Sequence, residues 1–373
     1  MTNRTVLWLF GLMAPWLTWL WAKLGRRLDA DVARTECANK CRVMGLVQSP
    51  GAYVSSGGEQ QPSLAGMLAD CYALGPFRAL WAVEGLGKDL AEARLAADAH
   101  VTGLLTDAAL GAEWDKAQLM LHAGIGLGFA KHHIEKLAPG ATSREISEAV
   151  MRVVNLCRAN SKPGYTGAAL ESLGLVSRFL REAAFCREVD VALEREAPDC
   201  RPYFWRGVGR CLYFHPTNFL LPRGKFCCRA IGRTRSEAPS EDARRAMLSG
   251  VGWTMTVVNM DTPAVMEWVL ANSGDYECDD PGFFNGVVSS LVMRFDTTPD
   301  DPLIAAFREH RPAGLRTRAL WVERVSRAVD QAVFQVHPVL KEQQRLEEVF
   351  RYQDLTELVA SIEREAEQQR RRL

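Results

Sequence analysis

Residues 120–128 read MLHAGIGLG, and residues 203–214 read YFWRGVGRCLYF. The first sets three glycines and the second two, each two positions apart, inside an apolar or aromatic stretch with no turn signal. Glycine inside a helix costs roughly 1 kcal/mol relative to alanine, so a helix that carries two must recover the loss in packing. On a helix with 3.6 residues per turn, positions i and i+2 point about 200° apart. Small residues at both would let one helix be approached closely from two opposite sides, as inside a stack.

The same pattern recurs along the chain. Val83-Glu84-Gly85-Leu86-Gly87 precedes the first run, and Tyr165-Thr166-Gly167-Ala168-Ala169 lies between the two. Leu248-Ser249-Gly250-Val251-Gly252 and Phe284-Asn285-Gly286-Val287-Val288 follow. The central glycines are 39, 43, 40, 43 and 36 residues apart. A period near 40 is the size of two helices and two short connections, the class of helical solenoid repeats. A large residue usually stands two places before the central glycine. Five places after it the column is apolar in most copies, with Ser172 the polar exception.

Breakers fall between the copies. Pro139-Gly140, Pro163-Gly164, Pro222-Arg223-Gly224 and Asp280-Pro281-Gly282 read as connections. Ser143 reads as a helix cap, and Asp261-Thr262-Pro263 and Asp296-Thr297-Thr298-Pro299 as helix ends followed by fresh caps. No long alternating run of β-branched residues occurs, so a sheet is not expected. The expected fold is all-α: an α-solenoid of about six helical-hairpin repeats of roughly 40 residues over 64–312, with a C-terminal helical cap over 313–373. Residues 25–63 form a linker with a short helix, and 46–63, rich in Gly, Ser, Gln and Pro, read as its loop.

The first 24 residues stand apart. Thr5 to Ala22 reads TVLWLFGLMAPWLTWLWA, 18 residues without a charge, with Trp8, Trp16, Trp19 and Trp21. That length lies at the lower edge of a membrane span, and tryptophan suits the headgroup layer. A membrane attachment, spanning or lying in the interface, is one reading. A helix buried on the stack and a cleaved signal are the others. For a span, Lys23, Arg26 and Arg27 place the main body in the cytoplasm.

The composition excludes several function classes. Lys+Arg and Asp+Glu both number 45, so no net positive charge draws the chain to nucleic acid. Ten scattered cysteines include no CxxC pair, which argues against zinc knuckles and suits a reducing compartment. No phosphate loop, HExxH helix, GxSxG elbow or paired Cys/His nucleophile is present, so neither a cofactor, a metal nor a catalytic set is expected. The glycines of 124–128 lack the strand that a dinucleotide fingerprint needs.

Candidate binding residues are the polar and aromatic side chains beside the glycines. Glu84, His122, Tyr165, Trp205 and Arg206 could line one groove, with His215 of the polar turn His215-Pro216-Thr217-Asn218 near it. The alternative for Glu84, Glu171 and Arg206 is solvent exposure; for His122, a core position. Two functions follow: a non-catalytic, membrane-associated scaffold holding a protein partner along a concave face, or an accessory ligand-binding or enzymatic protein. Convergence of the candidate side chains in one pocket would favour the second.

The order of Trp81–Gly87, Met120–Gly128, Tyr203–Phe214 and Leu248–Trp253 resembles a bacterial family of unknown function found near enediyne polyketide biosynthesis genes. The resemblance covers roughly 25–310 as short glycine-centred patches. It implies a place in natural-product biosynthesis and no catalytic residues. The third copy, Tyr165-Thr166-Gly167, departs from the family, which tends to Gly-aromatic-Gly followed by His.

Overall fold

Gly207 and Glu171 touch so closely that a Cβ on the glycine would lie 1.9 Å from the Glu171 carbonyl oxygen. This contact is the unit from which the fold is built. The computed structural model describes residues 3–25, 29–48, 63–98, 100–106, 110–215, 226–276 and 280–372, and among them no strand occurs.

The helices are α1 (Asn3–Gly25), α2 (Ala30–Gln48), α3 (Leu64–Ala73), α4 (Pro76–Ala97), α5 (Gln118–Glu135), α6 (Ser143–Asn160), α7 (Thr166–Leu180), α8 (Ala183–Glu196), α9 (Arg201–Phe214) and α10 (Phe226–Glu237). Then come α11 (Glu241–Asn259), α12 (Ala264–Ala271), α13 (Ser273–Tyr276), α14 (Pro281–Thr297) and α15 (Pro302–Glu309). A helical stretch from Leu315 to Glu342 follows, made of α16 (Leu315–Leu320), α17 (Arg327–Gln331) and α18 (His337–Glu342) joined by two wide π turns. The chain ends on α19 (Leu355–Arg372).

The glycine-bearing helices α4, α5, α7, α9, α11 and α14 pack one on the next in chain order. They run parallel: Gly87 lies on Leu121 and Gly124, and Gly128 on Lys88 and Ala91, in ascending order along both helices. Each crossing is reciprocal. The glycine on the earlier helix faces the carbonyl three residues before the small residue of the later one, as Gly209 faces Met247, and Gly250 faces Arg206 in return. A Cβ would stand 1.9 Å and 2.0 Å from these two oxygens, so the glycine Hα points at the carbonyl, a Cα–H···O contact. The two-place spacing thus serves the two neighbours, as the 200° separation requires.

The third copy sits elsewhere than the sequence pattern put it. Gly126 faces Ala169 and Gly174 faces Phe204, so the close-packed pair on α7 is Ser172 and Gly174, not Gly167 and Ala169. Ser172 fits the crossing because its Oγ donates to the Ala123 carbonyl at 2.9 Å. Gly167 instead lies against the Tyr203 ring and Glu347.

Parallel neighbours need return segments. α6, α8, α10 and α12 fill that role and pack on the outside of the glycine helices. Their burial is one-sided: α6 buries Ile146, Ala149, Val150, Val153, Val154 and Cys157 at helical spacing. On α11, by contrast, every residue from Ala246 to Asn259 is buried. Caps mark the joints, with small shifts from the sequence reading. Thr142, not Ser143, caps α6 in a capping box with Glu145, and Asp301, not the Thr298-Pro299 step, caps α15.

The row curls until helices that are not neighbours meet. The Trp81 ring of α4 stands edge-on to Trp253 of α11, with centroids 6.4 Å apart, and Arg206 of α9 donates to Ser289 of α14 at 3.1 Å. The C-terminal segment closes one side, where Phe350 packs on Trp253 at 6.3 Å.

α1 is a helix, Pro15 included, packed on α2 through Ala14, Thr18 and Ala22. Among the described residues no helix is long and apolar enough to cross a membrane. Residues 49–62, and with them most of the 46–63 loop, lie outside the described residues, as do the turns at 216–218 and 222–224.

Candidate functional site

Glu84, Glu171, Arg206 and Arg210 come from three of the glycine helices. Glu84 precedes the small pair of α4, Glu171 that of α7 and Arg206 that of α9; Arg210 follows one turn after Arg206. Because the glycine faces are occupied by neighbouring helices, these positions turn to the inside of the curl. All four side chains are buried. Arg206 Nη1 donates to Glu171 Oε1, and Arg210 Nη2 to Glu84 Oε1. Arg210 Nη1 reaches Glu171 Oε2 at 3.2 Å, joining both pairs into one chain of alternating charge. The indole of Trp253 lies under both guanidinium groups, 5.4 Å from Arg206 and 4.7 Å from Arg210.

Burial dominates the electrostatics. It pushes the Glu84 carboxyl above its ordinary range against the pull of Arg210. It pushes Arg206 down. Burial also opposes the charge on Arg210, but the carboxylates of Glu84 and Glu171 outweigh it and hold that guanidinium up. Two full pairs leave the cluster without net charge, the arrangement in which buried ions are tolerated.

The network opens at one end into a groove of about 310 Å³. Val43, Met44 and Val47 of α2 form one wall; Leu127, Leu175, Val176, Leu180 and Phe214 form the other. Trp81, Glu84 and Arg210 are its floor, and Lys88 and Lys131 stand at its rim. Three floor atoms, Trp81 Nε1, Glu84 Oε2 and Arg210 Nε, are buried without a hydrogen-bond partner. A native interior rarely leaves a donor and an acceptor unmatched. Phe179 beside the groove is 41% exposed.

The sequence candidates do not gather in one place. Glu84 and Arg206 belong to the same buried network, and neither is solvent-exposed. His122 and Tyr165 sit together at the other end of the glycine helices, with rings stacked 5.1 Å apart. Trp205 faces outward to α8, where Nε1 donates to Asp190 Oδ1 at 2.8 Å. His215, half-buried, ends α9; burial and the nearby Arg178 and Arg233 push it down to about 4.

Arg210, Trp81 and Ser289 escape the sequence reading. Their signal is a polar or indole group inside a helix whose other faces are all closed. Such a group needs an inward partner.

Among the described residues no cluster of three or more His, Cys, Asp or Glu side chains could hold a metal. The described cysteines are free thiols. No family model, no curated protein and no solved structure matches the chain. The enediyne-associated resemblance rests on its glycine patches alone.

Proposed function

We propose that this chain binds an amphipathic small molecule, an apolar body ending in a hydroxyl or protonated acid, in the groove above Glu84 and Arg210. One observation carries the reading: an apolar groove whose floor holds an unpartnered donor, Trp81 Nε1, and an unpartnered acceptor, Glu84 Oε2. A hydroxyl accepts from the first and donates to the second. Pockets of this make, mostly apolar with a few convergent polar groups, are where small molecules bind. We read the six glycine helices and their return segments as one repeated hairpin unit, which would build the floor by placing charge at equivalent positions.

Titration of the full chain with 1-decanol and with decane, followed by tryptophan fluorescence, tests the proposal. The alcohol binds about tenfold more tightly, the worth of one or two hydrogen bonds. Val176→Phe, which fills the groove, abolishes both. Equal affinity for alcohol and alkane would overturn the role of the floor.

A second reading rests on α1. Met13, Leu17, Leu20, Trp21 and Leu24 are exposed at helical spacing on the face away from α2, and Trp16, also exposed, stands at its edge under Arg34 of α2. We propose that this stripe lies in a membrane interface, with Lys23, which stands 4.9 Å from the Trp19 ring, at headgroup depth. Met44 touches both the α1–α2 contact and the groove, so the two features share α2. A protein partner in place of lipid is the competing occupant of this stripe. Flotation with vesicles in the absence of other proteins separates the two.

A further inference from the structure

A second cavity, of about 370 Å³, lies at the opposite end of the parallel helices, where α5 and α7 begin. Gln118 and Tyr165 stand at those helix starts, and Thr106, Lys162, Lys341, Asp115 and Gln344 complete the polar lining. Nothing in the groove reading uses it.

The cavity is held with unusual firmness. His122 Nε2 accepts the Lys162 backbone N–H at 3.0 Å. An amide can only donate, so the ring is the neutral tautomer whose Nδ1–H donates to the Gln118 carbonyl, 2.6 Å away. Tyr165 stacks on that ring. Across the cavity, Gln344 has φ 52°, the one non-glycine residue with positive φ among the described residues. Facing it, Gly164 has φ 81°, and a Cβ there would stand 2.0 Å from the Gln344 carbonyl oxygen. Glu347 N–H fastens the two segments by donating to the Gly164 carbonyl at 2.9 Å. Backbone strain of this kind collects at binding sites.

One buried side chain of the lining is unsatisfied. Gln118 is 2% exposed, and neither its Oε1 nor its Nε2 has a hydrogen-bond partner. Lys162 and Asp115 have no ion pair among the described residues. Lys341 is held at 2.9 Å by Asp296. Asp115 adds a carboxylate at one side.

We propose that this cavity is a binding site for a small carboxylate that carries a second hydrogen-bonding group, of the hydroxy-acid or amino-acid class. Lys162 takes the carboxylate, the Gln118 amide takes its flank, and Asp115 accepts from the hydroxyl or ammonium. A bare anion satisfies only the lysine and meets Asp115 unfavourably.

Calorimetric titration of the full chain with L-malate, L-glutamine, acetate and inorganic phosphate tests this. Malate or glutamine binds, and acetate and phosphate bind at least about tenfold more weakly, the loss of one charge-assisted hydrogen bond. Lys162→Ala and Gln118→Leu each weaken the bound acid by about tenfold. Gln118→Leu keeps or raises the Tm of the unliganded protein, because it removes an unmatched amide. Failure of both acids to bind overturns the proposal, and so does phosphate binding as tightly as either. Binding that both variants leave unchanged places the acid elsewhere and overturns it too. Decanol binding is unaffected by these variants, which keeps the two sites distinguishable.

Discussion

Glu84 and Arg210 are 126 positions apart and stand on helices separated by two others, yet they form one buried ion pair. The curl of the glycine helices brings them together, and Glu171 links them to Arg206. Removing one member leaves an uncompensated charge in a dry interior. Arg206→Met therefore costs about 3–5 kcal/mol, read as a lower urea midpoint. In the double variant Glu171→Met, Arg206→Met the Glu84–Arg210 pair remains balanced. The double variant is accordingly more stable than Arg206→Met alone. A double variant whose loss equals or exceeds the sum of the two single losses would show that the charges are not coupled.

The close crossings give opposite signs for one kind of substitution. Gly207→Ala drives a methyl into the Glu171 carbonyl, 1.9 Å away, and this is backbone that cannot swing aside. A loss of at least about 1–3 kcal/mol is expected, as for overpacked cores. At Gly232, inside α10, nothing lies within 4 Å of a Cβ. Gly232→Ala gains about 0.5–1 kcal/mol from helix propensity. Thermal unfolding of the two variants in parallel checks the pair, and a stabilised Gly207→Ala would refute the crossing geometry.

The all-helical class and five of the six glycine copies were legible because close packing leaves a residue-size signature. The α7 copy was not. Gly167 continues the pattern by eye but packs on Tyr203, whereas the true pair starts at a serine that hides behind its hydroxyl. Ser172, the polar exception in an otherwise apolar column, is the trace of that shift. The inward charges were visible as residues but not as partners, since pairing across the curl depends on how far the row bends. His122 and Tyr165 were found, but Lys341 and Gln344 come from a segment more than 170 positions later and carry no local mark.

The His122 tautomer sets a pH dependence. Burial pushes its pKa from 6.5 down to about 4, so the folded chain refuses a proton that the unfolded chain accepts. Stability is therefore full above the unfolded value and falls as pH drops from about 6.5 toward 4, by about 3 kcal/mol for this group. His133 and His215, also pushed down to about 4, act in the same direction. His122→Gln lowers stability at neutral pH but flattens the slope between pH 6.5 and 4. Denaturation midpoints across that window read the slope directly, and an unchanged slope would falsify the assignment of a neutral, buried imidazole.

The exposed stripe of α1 makes the last prediction. Leu20 is 47% exposed and Trp21 is 51% exposed, while Ala14, Thr18 and Ala22 on the opposite face are buried against α2. Substituting stripe residues leaves the α1–α2 contact intact, so folding and membrane affinity can be read separately. Burying a side chain of this size in the acyl boundary contributes about 1.5–3 kcal/mol, and half of each is already shielded. Leu20→Ser with Trp21→Ser should therefore weaken vesicle partitioning by about ten- to a hundredfold while the Tm stays unchanged. Anionic vesicles should bind the parent chain better than neutral ones, because Lys23 lies at the end of the stripe, and added salt should narrow the difference. If the parent chain fails to float with either vesicle, the stripe faces protein instead, and the same double variant then becomes the test for loss of a partner.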